Sequence, residues 1–192
     1  MIGTSADSET LRKRLIEITR DIFSVKDSLA DGFLVDKIMD RAGAKGTGRL
    51  PGGALQVARA RGMATGIVTT SYLTDASPAA FATHVARRGM REEVARQFVA
   101  SGVDVLIGSG LTWFLPNTDP RGARTDSLDL IAQARRLGYT VVHDASSLRQ
   151  APATRLLGLF DADLIAADDP VLTLAELTQQ ALDRLRHNPN GF

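Results

Sequence analysis

The sequence predicts an α/β fold with a mostly parallel sheet flanked by helices, and three observations lead to that prediction. After residue 50, short apolar runs alternate with stretches whose apolar residues are spaced three or four apart, as in strands joined by helical crossovers. Gly62 and Gly138 stand where two of the helical patterns stop. The chain has 192 residues, 44% of them apolar, which suffices for the core of one domain.

The predicted elements follow in chain order. Continuous apolar runs, typical of buried parallel strands, occupy residues 65–70, 103–108, 139–143 and 155–160. Helical spacing is found in residues 54–61, 78–88, 92–100, 127–137 and 174–186. The first 50 residues contain one helical pattern and a glycine-rich loop, but not the strong strand expected to open such a sheet. We therefore treat 1–192 as a single domain with a divergent part, 1–53, and a regular part, 54–192.

Charge and composition exclude several classes of function. Lysine and arginine (23) nearly balance aspartate and glutamate (22), and the basic residues are scattered, so no nucleic-acid partner is expected. No apolar run approaches the ~20 residues of a spanning helix, and no signal peptide opens the chain, so no membrane attachment is expected. The chain contains no cysteine, which excludes disulfides and thiolate metal sites. Its three histidines do not favour a two-zinc centre.

The loop after residues 65–70 has two interpretations. Asp75 and Ser77 offer two hard oxygens at the carboxyl end of a parallel strand, where ligands bind in open α/β sheets, and such a pair suits Mg²⁺. Equally, Ser77 is a suitable helix N-cap, and Asp75 favours the positive helix end without any ligand. Arg88, at the far end of the same predicted helix, can hold two phosphate oxygens or simply complement a helix C-terminus.

The ordered residues of this region resemble the alkaline phosphatase family. The similarity includes residues 66–70, the Asp75-Ala76-Ser77-Pro78 turn and Arg88, and it continues in register through 102–110, 138–142, 157–160 and 174–192. It is collinear from about residue 55 to residue 192. The resemblance implies an alkaline-phosphatase-like three-layer α/β/α fold that is incomplete on its C-terminal side, because the family's sequence runs on beyond the position of Phe192.

The resemblance also implies a function, the hydrolysis of phosphate monoesters by a serine nucleophile and metal ions. Asp75 and Ser77 would be Mg²⁺ ligands, and Arg88 would hold the phosphate. The nucleophile would be Ser28, within residues 25–32, with Asp27 orienting Arg88. Alkaline phosphatases are commonly exported and dimeric, so a homodimer is expected, although this chain shows no export signal.

Departures from the family pattern limit that expectation. Thr4 stands where the family has its first metal-ligand aspartate, and the family's Zn²⁺ ligands lie beyond the position of Phe192. We therefore expect weak Mg²⁺ binding, no Zn²⁺ site and no activity from this chain alone. The pair Asp7 and Ser8 competes with Ser28 as nucleophile, but its flanking residues do not fit the motif.

The alternative function is that of a non-catalytic relative that binds phosphate or a partner. A nucleotide-binding domain is disfavoured, because dinucleotide and Walker fingerprints are lacking.

Overall fold

The structure, a computed structural model, describes residues 54–151, 154–160 and 172–192. The described helices are α1 (Ala54–Ala60), α2 (Ala76–Ala82), α3 (Arg91–Ser101), α4 (Leu130–Arg136), α5 (Ala145–Gln150) and α6 (Leu174–Leu185). The described strands are β1 (Gly66–Tyr72), β2 (Val105–Ser109), β3 (Thr140–Val142) and β4 (Leu156–Phe160). A 3₁₀ turn (Leu111–Trp113) follows β2. The expectations for residues 1–53, including those for Asp27 and Ser28, lie outside the described residues.

The described strands form one parallel sheet in the order β1-β2-β4-β3. Every residue of β2 and β4 is buried, because helices cover both faces of the sheet. Helices α1 to α4 pack on one face and α5 and α6 on the other. The chain passes from β2 to the outer strand β3 and then returns to β4, which lies between them. The helix of the first connection, α4, packs on one face and that of the return connection, α5, on the other, as right-handed crossovers require. The predicted α/β fold with a parallel sheet between helices is confirmed.

This topology places the loops that can form a site at one edge of the sheet. Because all the described strands are parallel, their carboxyl ends point the same way. The loops after β1, β2 and β3 therefore meet at that edge. Helix α4 follows β2 on one face, whereas α6 follows β4 on the other, so a crevice is expected between these two neighbouring strands.

Helix α2 is shorter than the sequence pattern predicts. The pattern extends to Arg88, but the helix ends at Ala82 and Thr83 is extended, with φ −131° and ψ 158°. The Gln97 side chain in α3 accepts from the backbone N–H of His84 at 2.6 Å and donates to its carbonyl at 2.9 Å. These two hydrogen bonds use groups that a longer helix would need. The placement of Arg88 on α2 was wrong; it lies in a turn before α3.

Side-chain caps set two other helix boundaries. Helix α4 begins at Leu130, later than predicted, because the Asp129 carboxylate accepts from the N–H of Ala132 at 2.8 Å. Helix α5 was not predicted at all. It begins after Asp144, whose carboxylate accepts from the N–H of Ser147 at 2.8 Å. Both boundaries are set by an aspartate cap and not by apolar periodicity.

The buried Tyr139 makes stability depend on alkaline pH. Its hydroxyl donates to the Val103 carbonyl at 2.6 Å, and the Arg155 guanidinium lies 4.4 Å from its ring centroid. Burial raises the pKa of the Tyr139 phenol, and Arg155 opposes this with a smaller effect. Because the folded state favours the protonated phenol, its contribution is complete below the unfolded pKa of about 10 and is lost as pH rises above it.

We expect Tyr139→Phe to lower the free energy of unfolding by about 1 kcal/mol at neutral pH, since one buried hydrogen bond is lost. The same variant should flatten the fall in stability above pH ~10, because the titrating group is gone. Urea unfolding at neutral and alkaline pH measures both effects. Tyr72→Phe, at the more exposed of the two tyrosines, is the control. If stability falls above pH ~10 as steeply in Tyr139→Phe as in the parent, the Tyr139 phenol is not the group responsible for the fall.

Candidate functional site

The Asp75 loop leaves the carboxyl end of β1 and is anchored to the next strand. Leu73 is fully buried, and its N–H donates to the Ser109 carbonyl at the end of β2, at 3.1 Å. The N–H of Asp75 donates to the Tyr72 carbonyl at 2.9 Å, which closes a turn. Asp75 is the N-cap residue of α2, so the prediction that Ser77 fills that position was wrong. The loop nevertheless lies at the sheet edge where the sequence places it.

Both oxygens of the Asp75 carboxylate have partners. Oδ1 accepts from Nη2 of Arg91 at 2.7 Å, and Oδ2 accepts from the Ser71 hydroxyl in a short contact. The Asp75 side chain makes no capping hydrogen bond to α2. The Asp75 and Arg91 side chains are each only 26% exposed. The carboxylate is therefore neutralised within the described part of the chain.

Arg91, the first residue of α3, is held from several sides. Its Nη1 donates to the Thr74 hydroxyl at 3.2 Å. Its guanidinium lies 5.0 Å from the ring centroid of Tyr72 and 5.9 Å from that of Trp113, within cation–π range. These contacts join the end of β1, the 3₁₀ turn after β2 and the start of α3. We call Arg91, Tyr72, Thr74, Asp75 and Trp113 the Arg91 box.

The other predicted site residues are more dispersed. Ser77, the second residue of α2, is exposed. Arg88 is exposed in the turn before α3. The arginine that contacts Asp75 is Arg91, which the sequence analysis did not single out. The spacing of sixteen residues between Asp75 and Arg91 matches no helix or strand period, so no local pattern signals the contact.

The donor set around Asp75 does not fit a tight Mg²⁺ site. Magnesium requires near-octahedral oxygen coordination and is usually bound through one or two carboxylates together with water and substrate oxygens. The Asp75 carboxylate is shared with the Arg91 guanidinium and the Ser71 hydroxyl, and Ser77 adds only one neutral hydroxyl oxygen. Across residues 54–151, 154–160 and 172–192, no group of three or more His, Cys, Asp or Glu side chains could hold a metal ion.

Within the same ranges, no helix is both long and apolar enough to cross a membrane.

A cavity of about 640 Å³ lies at the same sheet edge, on the far side of β2. Its walls include Leu111 after β2, His143 after β3 and Leu159 in β4. The His143 ring is fixed, because Nδ1 lies 3.0 Å from the Leu159 carbonyl oxygen. Arginines and aspartates line the cavity in equal number: Arg121, Arg135, Asp119 and Asp129. The lining therefore favours neither anions nor cations.

Comparison with known proteins identifies the family. A family model described as alkaline phosphatase matches residues 38–192, most of the chain. The chain belongs to the alkaline phosphatase family. The alkaline phosphatase of Schizosaccharomyces pombe is 38% identical over 155 residues, which cover 72% of this chain and 29% of that protein. The resemblance drawn from the sequence is confirmed.

Solved alkaline phosphatase structures share the fold. The Thermus thermophilus enzyme is 34% identical with a TM-score of 0.64, covering 72% of this chain and 30% of that one. A histidine-to-aspartate mutant of the TAB5 alkaline phosphatase, from an Antarctic bacterium, has Mg bound in its M3 site. It is 28% identical with a TM-score of 0.55, covering 72% of this chain and 39% of that one. The chain thus spans about a third of the length of these relatives.

A short match to another class of protein accompanies these. It covers 39 residues, 20% of this chain, at 67% identity to 7% of the decarboxylating 6-phosphogluconate dehydrogenase 2 of Spinacia oleracea chloroplasts. Its extent is too small to assign a second family. The alkaline phosphatase family match begins at residue 38, after Asp27 and Ser28. The nucleophile assignment therefore stays a prediction, outside both the family match and the described residues.

Proposed function

We propose that this chain is part of a phosphomonoesterase of the alkaline phosphatase type, and that the 192 residues alone do not hydrolyse phosphate esters. The observation that carries this proposal is the Asp75 carboxylate, which lies at the sheet edge expected for a site but is paired with Arg91 and accepts a hydrogen bond from Ser71. In the family, metal ions supply a charge that stabilises the transferred phosphoryl group. The donor set in the described part of the chain does not fit such ions.

Within this proposal the roles of the chain's own residues follow the family resemblance. Ser28 is the candidate nucleophile toward small-molecule phosphate monoesters, and Asp27 orients Arg88. Arg88 holds the phosphate oxygens, and its exposure in the turn before α3 supports this role because an anion can reach it. Residues 54–192 form the regular unit, with 1–53 as its divergent extension. We also propose that the protein forms a homodimer, as the resemblance to alkaline phosphatases implies.

Hydrolysis of p-nitrophenyl phosphate at alkaline pH, with Mg²⁺ and Zn²⁺ supplied, tests the proposal. We expect no turnover above buffer from the folded 192-residue chain, because the described residues around Asp75 supply too few ligands for a metal ion. Ser28→Ala and Ser8→Ala form a matched pair that separates the two candidate nucleophiles. Turnover that is lost in Ser28→Ala but kept in Ser8→Ala would establish Ser28 and overturn the expected inactivity.

A second candidate function, phosphate binding without catalysis, is favoured by the same exposed position of Arg88. Calorimetry with inorganic phosphate in the presence of a metal chelator measures it. We expect Arg88→Gln to weaken phosphate binding by about tenfold, because one charge-assisted contact is lost. The control is Arg87→Gln, at the exposed neighbouring residue, which should have little effect. Equal binding by both variants would remove Arg88 from the site.

A further inference from the structure

We infer that Gln97 is a positioning residue for Arg88, because its side-chain amide fixes the backbone at His84 and so holds the exposed turn that presents Arg88 to an anion. The inference rests on the proposed function in one respect, that Arg88 binds phosphate. It differs from the role proposed for Asp27, which orients the Arg88 side chain, because Gln97 acts on the backbone. No contact between Gln97 and the phosphate is required.

The turn that contains Arg88 has few contacts of its own in the described part of the chain. We call residues 86–90 the Arg88 turn, and all five are exposed. A methyl group added at Gly89 would meet no atom within 4 Å. The N–H of Met90 donates to the Arg87 carbonyl at 3.1 Å, which closes the turn without attaching it to the rest of the fold. The position of the turn therefore depends on what holds its two ends.

In the same described region, a polar anchor lies on each side of the Arg88 turn. On its carboxyl side, Arg91 pairs with Asp75 at 2.7 Å. On its amino side, Oε1 of Gln97 accepts from the N–H of His84 at 2.6 Å, and Nε2 donates to the His84 carbonyl at 2.9 Å. Val85, the next residue, packs partly against the core. Because one amide binds both backbone groups of His84, Gln97 fixes the direction in which the chain enters the turn.

Glu93 fixes the Gln97 amide in turn. Nε2 of Gln97 donates to Oε1 of Glu93, one helical turn earlier in α3, at 2.7 Å. An ionised carboxylate only accepts hydrogen bonds, so this contact determines which end of the amide is the NH₂ group. The hydrogen bonds from Arg96 lower the pKa of the Glu93 carboxyl and so favour its ionised form. The amide is thereby oriented to bind both backbone groups of His84.

A turn that is already in place binds an anion more tightly than one that must first be ordered. Ordering a flexible segment costs conformational entropy, which weakens binding when it accompanies the binding step. The apparent affinity falls in proportion to the fraction of molecules whose site is formed. We expect the loss of both Gln97 hydrogen bonds to lower that fraction by about tenfold. Gln97 therefore contributes to phosphate affinity through the backbone.

Trypsin measures the hold of Gln97 on the turn, because it cleaves after arginine where the backbone opens locally. Gln97→Met keeps the length of the side chain and removes both hydrogen-bonding groups. The control, Gln179→Met, removes an exposed amide that pairs with Asp183 within α6. We expect cleavage after Arg88 to be about tenfold faster in Gln97→Met than in the parent or the control. Cleavage after Arg136, the last residue of α4, should be unchanged.

Two outcomes of this comparison would overturn the inference. An unchanged rate after Arg88 in folded Gln97→Met would show that other contacts hold the turn. Equal acceleration after Arg88 and Arg136 would show a general loss of stability, which opens both sites. If Gln97→Met does not fold, Gln97→Ala, with the strongest helix former at that position, should give the same selective acceleration after Arg88.

Calorimetry with inorganic phosphate in the presence of a metal chelator measures the consequence for binding. We expect Gln97→Met to weaken binding by about tenfold in the parent but not further in Arg88→Gln, because its effect passes through Arg88. Equal weakening in both backgrounds would overturn the inference. If the parent does not bind phosphate, the proposed role of Arg88 fails, whereas the cleavage rates still decide whether Gln97 holds the turn. The inference and the proposed function can therefore fail separately.

Discussion

Replacing Arg124 with methionine should lower the free energy of unfolding by about 3 kcal/mol, because two backbone carbonyl oxygens and the half-exposed Asp126 carboxylate lose their donor. Arg124 is only 5% exposed although it is charged. Its Nε and Nη2 donate to the Asp126 carboxylate at 2.7 and 2.6 Å. Its Nη1 donates to the carbonyl oxygens of Glu92 and Trp113 at 3.0 and 3.1 Å. Methionine fills similar volume but leaves these acceptors without their donor.

Denaturant unfolding followed by circular dichroism measures this change. Arg121→Met is the matched control, because its side chain is 67% exposed and pairs with Asp119 at the surface. We expect the control to unfold at the parent's denaturant midpoint. Similar midpoints for Arg124→Met and Arg121→Met would show that the hydrogen bonds of the buried Arg124 side chain do not stabilise the fold.

Arg124 also connects the fold to the Arg91 box. One of its carbonyl partners belongs to Trp113 in the 3₁₀ turn, and the other to Glu92, which directly follows Arg91 in α3. Loss of the guanidinium removes one of the links between these two elements, beside the contact of Arg91 with Trp113. We therefore expect the Trp113 emission to change in folded Arg124→Met and to stay the same in Arg121→Met.

The strands were predictable from the sequence because they are buried on both faces. Each strand of a covered parallel sheet is a continuous apolar run, so β2 and β4 could be read directly from their residues. Helix α5 could not, because it is short and polar and buries only Leu148. Its start depends on the Asp144 cap, and an aspartate before a polar segment is as typical of a loop as of a helix.

The candidate site was predictable in part. The position of Asp75 after β1 follows from the alternation of strands and helices and from the rule that sites form at carboxyl strand ends. Its partner could not be predicted, because the path of residues 83–90 decides which arginine reaches Asp75. That path is set by the hydrogen bonds of Gln97 to His84, a contact between residues far apart in sequence. Periodicity describes one element at a time and contains no such information.

Replacing Gly108 with alanine should lower the free energy of unfolding by about 2 kcal/mol, because the site has no room for a methyl group. A Cβ at Gly108 would lie 2.8 Å from Cγ of Leu73 and from Cγ2 of Thr69, and 3.2 Å from the Ser71 carbonyl oxygen. Leu73 is fully buried and cannot move outward. The pairing of β1 with β2 is already irregular between Val68 and Tyr72, the stretch that contains Thr69 and Ser71.

Gly89→Ala provides the control, since no atom lies within 4 Å of the methyl group it would add. We expect its free energy of unfolding to stay within about 0.5 kcal/mol of the parent's. If Gly108→Ala also stays within that range, β1 adapts freely and the close contact does not constrain it. If it is destabilised, the displaced segment includes Ser71, whose hydroxyl holds Oδ2 of Asp75. The missing side chain at position 108 would then be a requirement for placing the Asp75 carboxylate.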